Sequence, residues 1–134
     1  MKHKLVITSF LLVILAGCED GKPVVGRSQA YPSPDGAFTA TLEEVDNGMG
    51  FGLGALYDEV HLTRQGEAVG KHGDSGRSVV FYAESAYKVG SEVKITWIDS
   101  RHLRVELGGE QRPGRAVGQQ GDIAIEFRRR SRTP

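Results

Sequence analysis

The feature that most constrains the fold is a series of short runs in which apolar and polar residues alternate, separated by glycine-rich stretches. A strand points successive side chains to opposite faces, so each such run can bury one face against a core. Six runs have this pattern, at 37–45, 56–64, 78–85, 92–99, 102–107 and 122–128. The sequence therefore predicts an all-β domain: an antiparallel meander of about six strands that forms a small barrel or a sandwich.

The apolar positions within these runs predict the core, and the turns between them predict the pairing. Asp99-Ser100-Arg101 is a tight turn, so the runs on either side of it should form a hairpin. The run 78–85 is apolar on both faces, which is typical of a central strand. The predicted core residues are Phe38, Leu42, Val60, Leu62, Phe81, Val93, Ile95, Trp97, Leu103, Val105, Ile123, Ile125 and Phe127.

The N-terminus has a different pattern, which is that of an export signal. Residues 2–4 are basic, and residues 5–15 are apolar except for Thr8 and Ser9. Two small residues come next, and polarity returns at Glu19. This order of charged, apolar and small residues is typical of a secretory signal helix, and its apolar run of about eleven residues is shorter than the roughly 17–25 residues of a spanning helix.

The end of this signal, Leu15-Ala16-Gly17-Cys18, resembles the lipobox of bacterial lipoproteins. The resemblance implies that residues 1–17 are a cleaved signal peptide. It also implies that Cys18 receives a diacylglyceryl group and usually an N-acyl chain, such as palmitate, so that the membrane is a partner through this anchor. Glu19, in place of aspartate after the cysteine, implies an outer-membrane location facing the periplasm if the host is Gram-negative. Cys18 is the only cysteine, so it has no internal disulfide partner.

The rest of the chain divides by composition. Residues 18–30 have no apolar periodicity and are predicted to be a flexible tether. Residues 31–128 form the predicted β domain, which opens with the turn Ser33-Pro34-Asp35-Gly36. This opening resembles the start of a blade in TolB-type β-propellers and of small uncharacterised bacterial domains, although one copy cannot build a propeller. Residues 129–134 are a basic tail, either solvated or in contact with anionic lipid head groups.

Net charge argues against a nucleic-acid partner. The chain has 17 basic and 17 acidic residues, and two of the lysines belong to the signal peptide. The remainder is therefore slightly acidic, whereas general nucleic-acid binders are basic.

A glycine-rich segment before the second run is the predicted contact site for a partner. Glycine alternates with Met49, Phe51 and Leu53, and Tyr57 comes shortly after them. These four residues could contact a partner protein or ligand, or the segment could be a hairpin connection whose apolar residues cover the edge of the core. A dinucleotide site is not predicted, because the run after the glycines has the pattern of a strand and not of a helix.

The sequence predicts no catalytic residues and no cofactor. Gly73-Asp74-Ser75-Gly76 is similar to the nucleophile loop of trypsin-like proteases but lacks that family's other motifs. His61, His72 and His102 are not at metal-ligand spacing, which predicts no metal site. Tyr57, Glu59 and His61 share a strand face, either as a polar patch or simply as an exposed face.

These observations predict a non-enzymatic, lipid-anchored protein of the cell envelope. Its β domain should bind an unknown envelope protein or support an envelope assembly. The alternative is a carrier of a small apolar ligand, with a barrel mouth lined by Met49, Phe51 and Tyr57. A pocket of at least ~300 Å³ would favour the carrier.

Overall fold

The computed structural model describes residues 23–48, 56–70, 72, 78–85, 92–109 and 111–130. These residues form nine strands, and no helix occurs among them. The strands are β1 (Val24–Pro32), β2 (Phe38–Asp46), β3 (Leu56–Arg64), β4 (Val79–Ser85), β5 (Val93–Asp99), β6 (His102–Leu107), β7 (Arg112–Ala116), β8 (Gln119–Gln120) and β9 (Ile123–Arg129). The prediction of an all-β fold is confirmed.

The strands form a two-layer sandwich and not a closed barrel. The first sheet has the order β1-β2-β3-β4-β7, and the second has the order β5-β6-β9-β8. The core cluster takes apolar side chains from both sheets, for example Leu42 and Val60 from the first and Leu103 and Ile123 from the second. The sheets therefore pack face to face across one core.

The six predicted strands correspond to β2, β3, β4, β5, β6 and β9, and β5 and β6 form the predicted antiparallel hairpin. Strand β4 lies between β3 and β7, as a central strand should. The simple antiparallel meander is wrong, however. Strand β9 pairs in parallel with β6. Strand β7, which lies between β6 and β9 in the sequence, belongs to the first sheet.

Three strands lie outside the six predicted runs. Strand β1 covers residues 24–30 of the predicted tether. These residues pair with β2, except Gly26, which lies at a register shift. The prediction that residues 18–30 are flexible is therefore wrong for Val24–Ala30. Its side chains are almost all exposed, and backbone pairing therefore stabilises it instead of burial. Strands β7 and β8 lie in the stretch 108–121, where the density of glycine predicts a loop.

The turn Ser33-Pro34-Asp35-Gly36 connects β1 to β2 through its own side chains. Ser33 Oγ donates to Asp35 Oδ1 at 2.7 Å, and the Phe38 amide donates to Ser33 Oγ at 3.0 Å. Gly36 has a φ of 69°, which glycine adopts without steric cost. The hydrogen bonds from Ser33 and Ala37 hold the pKa of the Asp35 carboxyl below its usual value. The predicted turn is confirmed.

The predicted core is also confirmed. Ten of the thirteen predicted core residues are buried, and Phe38, Trp97 and Phe127 are half-buried and pack against them. Trp97 contributes a polar contact as well, because its indole Nε1 donates to the Tyr31 carbonyl at 2.9 Å. This bond connects β5 of the second sheet to β1 of the first.

We expect Trp97→Phe to lower the free energy of unfolding by about 1 kcal/mol, which is the typical net value of one hydrogen bond. The phenyl ring keeps most of the apolar contact, while the donor to the Tyr31 carbonyl is lost. Urea denaturation measures the change, and Ile98→Val, on the exposed neighbouring side chain, is the control. An unchanged midpoint for Trp97→Phe would contradict this role for the hydrogen bond.

Candidate functional site: a buried cluster of two glutamates and two histidines

The pairing of β2 with β3 places acidic and imidazole side chains on one face of the first sheet. Glu43 lies directly opposite Glu59, and Thr41 lies opposite His61. Because side chains alternate along a strand, these residues point away from the core face that carries Leu42 and Val60. Strand alternation and register together therefore bring Glu43, Glu59 and His61 to one place.

His72 completes the group from the connection after β3. Its Nδ1 lies 3.2 Å from Glu43 Oε2 and 3.3 Å from Glu59 Oε2. His61 Nε2 lies 3.1 Å from Glu59 Oε2 and 3.8 Å from Glu43 Oε2. Four side-chain atoms thus converge on one small space, and we refer to these residues as the Glu/His cluster (Glu43, Glu59, His61 and His72).

The Glu/His cluster is largely removed from solvent. His61 is 0% exposed, Glu59 1% and Glu43 7%, while the His72 side chain is 23% exposed. Like charges directly opposite each other across two strands are destabilising, and burying a charge without compensation costs more. Two buried carboxylates at this position therefore need positive charge from protons or from a cation.

Two serines position members of the Glu/His cluster from outside it. Ser28 Oγ on β1 donates to Glu43 Oε1 at 3.1 Å. Ser78 Oγ, immediately before β4, lies 3.1 Å from His61 Nδ1. Within the described part of the chain, Glu43 Oε2 accepts no hydrogen bond of acceptable geometry. The serines thus leave His61 Nε2 and Glu43 Oε2 directed at the shared space.

Two tyrosines extend this face of the sheet beyond the Glu/His cluster. The rings of Tyr57 and Tyr82 lie 5.0 Å apart. Burial raises the pKa of Tyr57 to about 12, with a further contribution from the charge on Glu59. Burial is the largest cause that raises the pKa of Tyr82, and the charges on Glu84 and Glu59 raise it further. Both phenols therefore remain neutral around neutral pH.

The other acidic residue buried on β3 has a different partner. Asp58 Oδ2 accepts a hydrogen bond from Gln111 Nε2 at 2.8 Å, and Asp58 faces the opposite side of β3 from Glu59. Asp58 is therefore not part of the Glu/His cluster.

The structure answers some of the predictions about site residues. Tyr57, Glu59 and His61 are all buried, so the interpretation of their face as an exposed one is wrong. Tyr57 is only 4% exposed and does not itself offer a free contact surface. Cys18, Met49, Phe51 and Leu53, and residues 73–76 of the protease-like motif, lie outside the described residues.

Sequence reasoning missed the Glu/His cluster because it judged spacing along the chain. His61 and His72 are eleven positions apart, yet their ring centroids lie 5.8 Å apart. Glu59 and His61, two positions apart on one strand face, were the available signal. Their partners on β2 required the strand register, which the sequence alone does not specify.

Chemically, this arrangement fits a cation. Glu43, His61 and His72 each offer a ligand atom, and these atoms lie within 4.8 Å of one another. Imidazole nitrogen and carboxylate oxygen are ordinary ligands of divalent transition metals.

Comparisons with family models, with curated proteins and with solved structures found no match to this chain. Among the described residues, no helix is both long and apolar enough to cross a membrane.

Proposed function

We propose that this chain is a lipid-anchored lipoprotein of the bacterial cell envelope, with the lipid on Cys18, and that its sandwich is a non-catalytic binding module. The species it binds is a divalent metal cation held by the Glu/His cluster. The signal-like leader and the motif Leu15-Ala16-Gly17-Cys18 support the anchor. In a Gram-negative host, Glu19 favours an outer-membrane location facing the periplasm.

One observation carries the binding half of this proposal: three potential ligand atoms, on Glu43, His61 and His72, lie within 4.8 Å of one another, and the Glu59 carboxylate lies beside them. His72 Nδ1 and His61 Nε2 both approach the two carboxylates within 3.8 Å. Two carboxylates carry two negative charges, and neutral imidazoles add none. A divalent cation would therefore neutralise the Glu/His cluster without requiring any group to be protonated.

The alternative of a small-ligand carrier stays a prediction, because Met49 and Phe51 of its predicted mouth lie outside the described residues. Two clefts border the core among the residues that the structure describes. A cleft bordered by Phe81, Val105 and Phe127 measures about 110 Å³. Another, bordered by Phe38, Leu62 and Gln120, measures about 210 Å³. Both are smaller than the roughly 300–1,000 Å³ of typical ligand sites. Contact between the segment at Met49, Phe51 and Leu53 and an envelope protein stays a prediction.

We expect the metal-free protein and its Glu43→Gln variant to respond in opposite ways to added cation. Without metal, Glu43→Gln removes one of two facing carboxylates and should leave the melting temperature unchanged or higher. With metal at a hundred times its dissociation constant, the wild type should gain about 2.7 kcal/mol of stability, and the variant much less. Thermal melting of the chelator-treated full chain at pH 8, with and without added divalent ion, measures both effects.

Glu106→Gln is the matched control, since Glu106 lies on β6 in the other sheet. It should leave the response to metal as in the wild type. The proposal fails if equilibrium dialysis finds no bound divalent ion on the wild type, or if Glu43→Gln binds the ion as tightly as the wild type does.

A further inference from the structure

Resting on the proposed function, the geometry points to a metal centre with three protein ligands, Glu43, His61 and His72, and one open position. Glu59 is not a ligand in this arrangement. Its carboxylate lies beside the three ligands and reserves the open position for water over any anion. The ligand that completes the ion is therefore a water molecule, and small anions are excluded.

The three ligand atoms have the spacing of one ion's ligand set. All three lie within 4.8 Å of one another. Glu43 Oε2 is 3.2 Å from His72 Nδ1 and 3.8 Å from His61 Nε2. Transition metals such as zinc bond nitrogen and oxygen at about 2.0–2.1 Å, so two ligand atoms at a tetrahedral angle lie about 3.3 Å apart. A small inward movement of the side chains therefore brings all three atoms to bonding distance of one ion.

Two serines outside the ligand set direct these atoms at the ion. Ser78 Oγ lies 3.1 Å from His61 Nδ1, and a histidine that binds metal through one nitrogen normally donates its other N–H to such an acceptor. Ser28 Oγ donates to Glu43 Oε1. The second carboxylate oxygen, Oε2, is buried and accepts no hydrogen bond of acceptable geometry among the described residues. A cation compensates this buried oxygen.

Three protein ligands leave a position on the ion for a ligand from solution. Zinc sites with two histidines and one carboxylate hold a water or a substrate in the fourth position, whereas closed structural sites have four protein ligands. The His72 side chain is 23% exposed, so solvent reaches the ligand set at this residue. Water therefore has access to the open position.

The Glu59 carboxylate contacts both imidazoles without belonging to the group of three ligands. Its Oε2 lies 3.1 Å from His61 Nε2 and 3.3 Å from His72 Nδ1. A metal-bound nitrogen carries no proton, so neither imidazole can donate to Glu59 through these atoms once the ion is bound. Because Glu59 is 1% exposed, that loss needs a replacement, and the O–H groups of a metal-bound water provide it.

Charge decides between water and an anion at the open position. A divalent ion with Glu43 as its one anionic ligand keeps one positive charge, which the nearby Glu59 carboxylate balances. A neutral water preserves this balance. An anion would add an uncompensated negative charge where Glu59 is 1% and Glu43 7% exposed, which is costly. Glu59 is therefore a specificity-determining residue for the ligand on the ion.

The test uses the full chain in detergent, stripped of metal and then given Co²⁺, whose visible absorption reports its ligands. We expect azide to leave the wild-type spectrum unchanged. Glu59→Gln keeps the shape of the side chain and removes its charge. It should bind Co²⁺ within about 10-fold of the wild-type affinity and azide at least ~10-fold more tightly, because a negative charge a few ångströms away is lost. Glu106→Gln, on β6 in the other sheet, should behave as the wild type does.

Two further measurements do not depend on the folding of Glu59→Gln. In the wild type, H₂¹⁷O should broaden the electron paramagnetic resonance signal of bound Co²⁺, which detects a water on the ion. His72→Gln, at the most exposed ligand, should lose more Co²⁺ affinity than the ~10–100-fold typical of changes outside the ligand set. His102→Gln, outside the Glu/His cluster, should lose none.

Each other outcome has a distinct meaning. Absence of any bound divalent ion overturns both this inference and the proposed function. Binding of Mg²⁺ or Ca²⁺ in place of Co²⁺ overturns the imidazole ligands, as does unchanged Co²⁺ affinity in His72→Gln, and leaves cation binding in place. No broadening by H₂¹⁷O, or equal affinity for azide in the wild type and Glu59→Gln, overturns the reserved water. A loss of Co²⁺ affinity in Glu59→Gln as large as in His72→Gln would make Glu59 a ligand and close the open position.

Discussion

Cys18→Ser should abolish lipid attachment completely. The motif Leu15-Ala16-Gly17-Cys18 resembles a lipobox, and serine has no thiol to receive the diacylglyceryl group. A lipoprotein with two or more chains is anchored stably, at about 0.8 kcal/mol per buried CH₂, so loss of the chains removes the whole anchor. Metabolic labelling with a fatty acid, followed by electrophoresis, should show an unlabelled precursor that still carries residues 1–17.

A variant within the signal provides the control. Ser9→Ala lies in the apolar run and leaves Leu15-Ala16-Gly17-Cys18 intact, so it should be labelled and processed as the wild type is. If Cys18→Ser were processed and labelled normally, the lipoprotein assignment would be wrong. That result would not affect the proposal of cation binding, because no residue of the Glu/His cluster belongs to the lipobox-like motif.

The strands that could be predicted are those that bury an alternating face. Leu56–Arg64 and His102–Leu107 have the predicted bounds, because apolar residues at alternate positions, interrupted only by Asp58, are followed by a polar or glycine-rich turn. Period two is a local property, which a sequence displays directly. It specifies that a strand exists and which residues share a face.

The strands that were missed pair through the backbone without that signal. Val24 and Val25 of β1 are exposed, and a register shift at Gly26 interrupts the pairing. In β7, Pro113 cannot donate to a neighbouring strand, and such residues are confined to edges. Gly114 permits the close approach of β7 to β4, because a Cβ there would lie 2.7 Å from the Tyr82 ring. No apolar periodicity indicates any of these contacts.

The Glu/His cluster could not be predicted from the sequence for a related reason. That Glu59 and His61 share a face could be predicted, but their burial could not, since an exposed strand face has the same composition. Glu43 joins them only through the β2–β3 register, and His72 joins them from a connection with no periodicity. Long-range pairing therefore determines the site, and spacing along the chain had argued against it.

Phe81→Ala should cost about 3–5 kcal/mol of unfolding free energy, a large share of the ~5–15 kcal/mol typical of a domain. Phe81 is 2% exposed on central strand β4, and its ring stacks on Phe127 of the second sheet at 5.6 Å. Truncation removes its apolar contacts and leaves a cavity between the sheets, beside an existing cleft. Urea denaturation of metal-free protein measures the loss without any contribution from bound ion.

Ile98→Ala is the matched control, because Ile98 is 44% exposed and its truncation leaves no cavity. It should cost well under half as much as Phe81→Ala. The double variant Phe81→Ala with Phe127→Ala should cost less than the sum of the two single changes, since each ring loses the same partner. Strict additivity, or a loss below about 1 kcal/mol for Phe81→Ala, would mean that the two sheets do not pack through this pair. In that case other apolar contacts would have to pack β4 against the second sheet. The position of β4 also determines that of Ser78, which lies next to it and contacts His61 of the Glu/His cluster.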